Sequence, residues 1–168
     1  WMFAMLFSRF SQGTLQPFKG IRDMYSKWKQ KHPDDAFILT GHSLGGGLVI
    51  AAGGELEIPA VSFSGPGSHF SRYRFHTTKE KTFRSAVDVK PSSDFIHRFD
   101  RHDEVGQRIA CQAGKATTCH SIFSTICELW RVCGYHKPRD FSQMCDKVFE
   151  HNVPPKTDDY ITATHFGK

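Results

Sequence analysis

Ser43 is the residue around which the chemistry of this chain can be organised. It stands in Gly41-His42-Ser43-Leu44-Gly45, the G-x-S-x-G spacing of a nucleophile elbow. A serine hydroxyl is a weak nucleophile until a base removes its proton and N–H groups stabilise the oxyanion it creates. The elbow supplies the geometry for both by lifting the hydroxyl clear of a sheet on a sharp strand-to-helix turn. Side chains two positions either side would collide with that turn, which predicts glycine at Gly41 and Gly45. The N–H of Leu44 then opens the following helix and is placed to donate to an oxyanion.

A serine also needs a histidine, and the histidine needs a carboxylate, in the chain order Ser, Asp or Glu, His. Asp103 lies 60 residues after Ser43, just past an expected strand end where catalytic groups of open α/β sheets gather. Asp100 shares that strand end and is the alternative acid. Of ten histidines, the order rule leaves His120, His136, His151 and His165, and the residues alone do not choose among them.

The elements that must hold these groups can be read in outline. Pro17 suits a first helical position, and Phe18, Ile21, Met24, Tyr25 and Trp28 recur at helical spacing until Pro33 ends the run. Ala36–Thr40 is a short apolar run of the buried parallel-strand kind, followed by the elbow and a buried helix at Leu48–Ala52. Ala60–Phe63 reads as the second strand and Asp94–Phe99 as the third, with residues 68–92 as a polar excursion. Strand, helix, strand with short links implies a parallel sheet covered by helices.

Composition narrows the class. The chain has 168 residues, 39% hydrophobic and 23% charged, which excludes disorder, collagen and coiled coil. The net charge of +5 is scattered, as at Arg22, Lys27, Lys29, Arg72, Arg74 and Lys79, without the aromatic interleaving of a nucleic-acid module. It reads as a solvated face, or as attraction toward an anionic membrane surface.

Phe37 to Val49 (Phe-Ile-Leu-Thr-Gly-His-Ser-Leu-Gly-Gly-Gly-Leu-Val) resembles the signature of the class 3, or fungal-type triacylglycerol, lipases. Tyr25–Asp35 resembles the helix and turn before that family's elbow strand, and Ile58–Ser68 its next strand and turn. Arg101–Val105 resembles the H-x-x-D-P region that carries the family's acid, matching Asp103, although Gly106 follows where a proline is usual. Thr164-His165 resembles the late catalytic histidine by position. The resemblance implies an α/β-hydrolase-like fold, with a mostly parallel sheet flanked by helices and without its N-terminal strands. Residues 1–168 would then be a single, N-terminally incomplete lipase-like domain. It implies a serine ester hydrolase acting on acylglycerols or phospholipids through an acyl-enzyme. Ser43 would be the nucleophile, Asp103 the acid, His165 the base and Leu44 an oxyanion donor, with no metal or organic cofactor. The partners implied are a lipid ester and the surface of a membrane or lipid droplet, with no nucleic acid. The compartment implied is the secretory pathway, the vacuolar or lysosomal lumen, or the exterior.

Two other readings compete. Thr40-Gly41-x-x-x-Gly45-x-Gly47 also fits the phosphate loop of NAD(P)-dependent short-chain dehydrogenases. No acid closes the next strand at Phe63-Ser64-Gly65, however, and Tyr25-x-x-x-Lys29 precedes the loop instead of following it. A catalytically degenerate, lipase-like binding module is the non-enzyme alternative. All five cysteines fall within residues 111–145, at spacings that match no standard zinc pattern. Disulfides formed in an oxidising compartment are expected, with Cys111–Cys119 and Cys127–Cys133 as local pairs.

Overall fold

In the computed structural model, residues 17–111, 115–132, 145 and 161–164 are described. Strands β1 (Leu39–His42), β2 (Ala60–Phe63), β3 (Ala86–Pro91) and β4 (Val105–Ile109) lie side by side in that order, all parallel. Strand β5 (Ile161–Thr164) adds to β4 antiparallel. Helices α1 (Pro17–Lys31), α2 (Leu44–Leu56), α3 (Lys79–Ser85), α4 (Ala116–Cys119) and α5 (Ile122–Val132) flank the sheet or follow its strands. This is an α/β-hydrolase-like arrangement, with the elbow between β1 and α2.

Apart from Glu55, α2 is apolar on every face, the composition of a helix packed inside a protein. Val49 and Ile50 pack on Ala60 and Ala86 of the sheet, while Ala51 and Ala52 meet Ile21 of α1. Its close approach to the strands rests on missing side chains: a Cβ at Gly53 would stand 2.7 Å from the Ala60 Cβ. α1 starts at Pro17 and ends before Pro33, as its sequence dictates. An Arg22–Glu55 ion pair of 2.6 Å ties α1 to α2.

The third strand departs from expectation. It is Ala86–Pro91, whereas residues 94–99 form a loop containing a 3-10 turn at Ile96–Arg98. The reason is in β3 itself. Buried parallel strands ordinarily read as apolar runs, but Ala86-Val87-Asp88-Val89-Lys90-Pro91 carries two charges. Asp88 is fully buried and Lys90 nearly so. Lys90 Nζ lies 3.3 Å from Glu104 Oε1 and 3.8 Å from Asp88 Oδ2, so the strand's charges are compensated from within and from the loop before β4.

Candidate active site

Ser43 occupies the tight turn between β1 and α2 with φ 57° and ψ −125°, a region that side-chain-bearing residues rarely enter. The surroundings hold it there. Its N–H donates to the Phe63 carbonyl at 3.0 Å, and its carbonyl accepts from Gly47 N–H at 3.2 Å. Gly41 is required as anticipated, because a Cβ there would meet the Gly45 carbonyl oxygen at 2.4 Å. Gly45 is not required for that reason, since a Cβ there meets nothing within 4 Å. The second tight glycine is Gly46, whose added Cβ would stand 2.4 Å from Ser62 Oγ and 3.0 Å from the Gly65 Cα.

The group beside the Ser43 hydroxyl is His120. Ser43 Oγ lies 2.9 Å from His120 Nε2, and the other ring nitrogen, Nδ1, lies 3.0 and 3.1 Å from the two oxygens of Asp94. With Nδ1–H donating to the carboxylate, Nε2 is left as an acceptor for the serine proton. Asp94 is fully buried, and its Oδ1 also accepts from Ile96 N–H at 2.8 Å. His42 Nε2–H donates to the His120 carbonyl at 2.7 Å, and its ring lies against the His120 ring at 4.9 Å between centroids. Phe95 packs on another side of the imidazole at 5.5 Å. Serine, histidine and carboxylate therefore form one hydrogen-bonded chain on three separate pieces of backbone.

Asp103 takes a different position from the one expected of it. Its buried carboxylate accepts from His69 Nδ1–H at 3.0 Å and from the Arg72 guanidinium. Burial pushes this carboxyl up, but the bonds from His69 and Arg72 and their charges together outweigh burial and hold it below its ordinary value. Asp100 accepts from the Phe70 and Arg101 N–H groups. His165, His136 and His151 lie outside the described residues. Of the four candidate histidines, His120 lies within the described residues and is hydrogen-bonded to Ser43, and the carboxylate that meets it is Asp94. Asp94 escaped sequence reading because it reads as the first residue of a strand, when it stands three residues past the end of one. The usable signal was the alternation in Val87-Asp88-Val89-Lys90, a strand pattern hidden by its charges.

Two disulfides flank this region, Cys111–Cys119 and Cys127–Cys145. The first is the expected local pair. In the second, Cys145 takes the place expected of Cys133, which lies outside the described residues.

No family model matches the chain. Curated relatives do. The protein named "Putative lipase ATG15" of Saccharomyces cerevisiae is 26% identical over 147 residues, 86% of this chain and 27% of its own length. Its namesake in Eremothecium gossypii is 32% identical over 124 residues, 66% of this chain and 22% of its own. That of Mycosarcoma maydis is 34% identical over 105 residues, 62% of this chain and 20% of its own. The chain is close to the fungal ATG15 lipases. It spans about a quarter of the length of these relatives or less.

A second polar cluster joins β3 to the residues just before β4. Asp88, His102 and Glu104 bring potential ligand atoms within 4.8 Å of one another. It does not fit a divalent ion, because the Lys90 ammonium already stands between the two carboxylates and His102 is bonded to Glu104. Burial pushes Glu104 up, but the His102 bond and the charges of His102 and Lys90 pull it below the usual carboxylate range. Burial pushes Asp88 up to about 7, against the pull of Lys90 and with the help of Glu104.

Proposed function

We propose that this chain carries the catalytic centre of a serine ester hydrolase of lipase type, with Ser43 as nucleophile, His120 as general base and Asp94 as the carboxylate that orients it. The observation that carries this reading is the hydrogen-bonded chain from Ser43 Oγ through His120 to Asp94, starting from a strained elbow. Ser43 Oγ attacks the acyl carbonyl while His120 Nε2 takes its proton. The oxyanion faces the start of α2, where Leu44 N–H, which has no acceptor within its own helix, donates to it. His120 then protonates the departing alcohol, and water activated by the same nitrogen releases the acyl group. Asp103 becomes a structural acid in this scheme.

An acylglycerol or phospholipid substrate is supported by the relatives' lipase names and by what surrounds the site. Leu44 follows the nucleophile, Phe95 follows the acid and Phe123 lies three residues beyond the base, and all three are exposed apolar side chains. Such side chains suit an acyl chain or a lipid surface. Among the described residues no helix is long and apolar enough to cross a membrane. The proposed contact is with the lipid surface, helped by the net charge of +5. Disulfides fit passage through the secretory pathway, and a vacuolar or other lumenal destination is the compartment proposed.

The test is a fluorophosphonate probe applied to the full polypeptide. Ser43 should be labelled and short-chain nitrophenyl esters hydrolysed, both lost in Ser43→Ala. An unlabelled Ser43 in folded protein sinks the enzyme reading and leaves the binding module; labelling unaffected by His120→Gln sinks the choice of base.

A further inference from the structure

We propose that the Cys111–Cys119 disulfide positions the general base, so that ester hydrolysis depends on this bond remaining oxidised. The inference rests on the assignment of His120 made above. His120 follows Cys119 directly, and the segment leading to it is the four-residue helix α4. One helical turn has no stability of its own, because nucleation costs more than a single turn of hydrogen bonds returns. Something else must hold the turn.

Cys119 is completely buried and joined to Cys111, two residues past the end of β4. Cys111 is in turn tied to the strand that delivers the acid. Its N–H donates to Ser92 Oγ at 3.2 Å, and Ser92 N–H donates to the Ile109 carbonyl at 2.9 Å. Asp94 stands two residues beyond Ser92, its N–H bonded to the Pro91 carbonyl at 3.0 Å. The disulfide thus closes a loop that begins at the base, passes through β4 and the end of β3, and returns through Asp94 to the His120 ring. Without the S–S bond, the described attachments of His120 outside its own turn reduce to the Asp94 and Ser43 bonds of its ring, the His42 bond to its carbonyl, and ring contacts.

Cys127–Cys145 is the internal control. It starts seven residues beyond His120, within α5. It spans 18 residues of sequence against 8 for Cys111–Cys119, and longer closed loops restrict the unfolded chain more. The two bonds should therefore separate, the longer serving stability and the shorter serving catalysis.

The experiment compares Cys111→Ser/Cys119→Ser with Cys127→Ser/Cys145→Ser in the full polypeptide, measuring kcat, KM, Tm and the rate at which a fluorophosphonate labels Ser43. The first pair should lose about 10²-fold in kcat and in labelling rate with KM little changed, the scale of a misplacement of roughly 1 Å. The second pair should lower Tm more and leave kcat within about threefold. Where a variant does not fold, the oxidised parent is titrated below its Tm with tris(2-carboxyethyl)phosphine. The phosphine attacks one sulfur, the S–S bond breaks, and water supplies oxygen to phosphorus and a proton to each thiolate. Labelling should then fall in step with the reduction of Cys111–Cys119 mapped by mass, and return on reoxidation. Parent-like kcat or labelling with that bond open, in a parent that is itself labelled at Ser43, overturns the positioning role alone. Failure of the parent to label overturns the site assignment beneath it.

Discussion

Among the described residues, two buried aspartates are bonded to histidines with nearly the same geometry, and the proposed function gives them different work. In one, His120 Nδ1 lies 3.0 Å from Asp94; in the other, His69 Nδ1 lies 3.0 Å from Asp103. What differs is the company. The His120 ring carries Ser43 Oγ on its far nitrogen, and its carboxylate accepts otherwise from a backbone N–H. The Asp103 carboxylate is shared with Arg72, whose guanidinium bonds to it directly. A carboxylate already matched by a fixed cation has less negative charge to lend to an imidazolium. A histidine–aspartate pair is therefore not evidence of catalysis by itself; the third group on each side decides.

Breaking each pair should give opposite signatures. Asp94→Asn should lower kcat on nitrophenyl esters by about 10³–10⁴-fold with a modest change in Tm, because the imidazole loses its tautomer and its support for charge. Asp103→Asn should do the reverse, changing kcat less than about tenfold in the folded fraction. Its cost is to stability, about 3–5 kcal/mol for removing one partner of a buried ion pair, read by denaturant titration. A kcat loss at Asp103 as large as that at Asp94 would restore Asp103 to the catalytic centre.

The pH dependence of stability sharpens the same contrast. Asp103 sits below its ordinary value, so its contribution is present above the unfolded pKa and is lost as pH falls through the folded one. Asp103→Asn should therefore flatten the acid limb of Tm against pH. Asp88 has the opposite sign. Its pKa is raised from 3.8 to about 7 by burial, with Lys90, Glu104, the Ser62 hydroxyl and the Gly65 N–H facing it. It favours folding fully below its unfolded value, and that contribution declines as pH rises through about 7. Asp88→Asn should remove a downward slope between about pH 4 and 7; an unchanged slope would mean that Asp88 is ionised throughout. The smallest effect is expected at Phe95, whose ring packs on His120 but bonds to nothing there. Phe95→Leu should cost about 2–10-fold in kcat, the worth of one aromatic contact. A loss as large as that in Asp94→Asn would make Phe95 part of the base's support.

The relation between sequence and structure follows the same division. The elbow was legible because its constraints are local: a tight turn, a strained serine and a glycine at 41 are written within a few consecutive residues. The first helix and the first two strands were legible because apolar spacing and Pro17 and Pro33 mark them. Strand β3 was hidden because its buried charges are answered by Lys90 on the strand itself and by Glu104 and His102 beyond the next loop, which no window along the chain can reveal. Losing β3 directed the search for an acid to Asp103 and away from Asp94, since an acid is sought at a strand end and β3 was not among the expected strands.

By itself, the sequence determined the elbow turn, the serine it presents and the α/β class, all consequences of short-range sterics and periodicity. Tertiary structure decided which of several histidines and aspartates meets Ser43. His120 and Asp94 are separated from it by 77 and 51 residues, and their approach depends on the order and register of β3 and β4 and on the bond from Cys111 to Cys119. Hydrogen bonds of about 3 Å require positions set in space, and spacing along a chain does not carry that information.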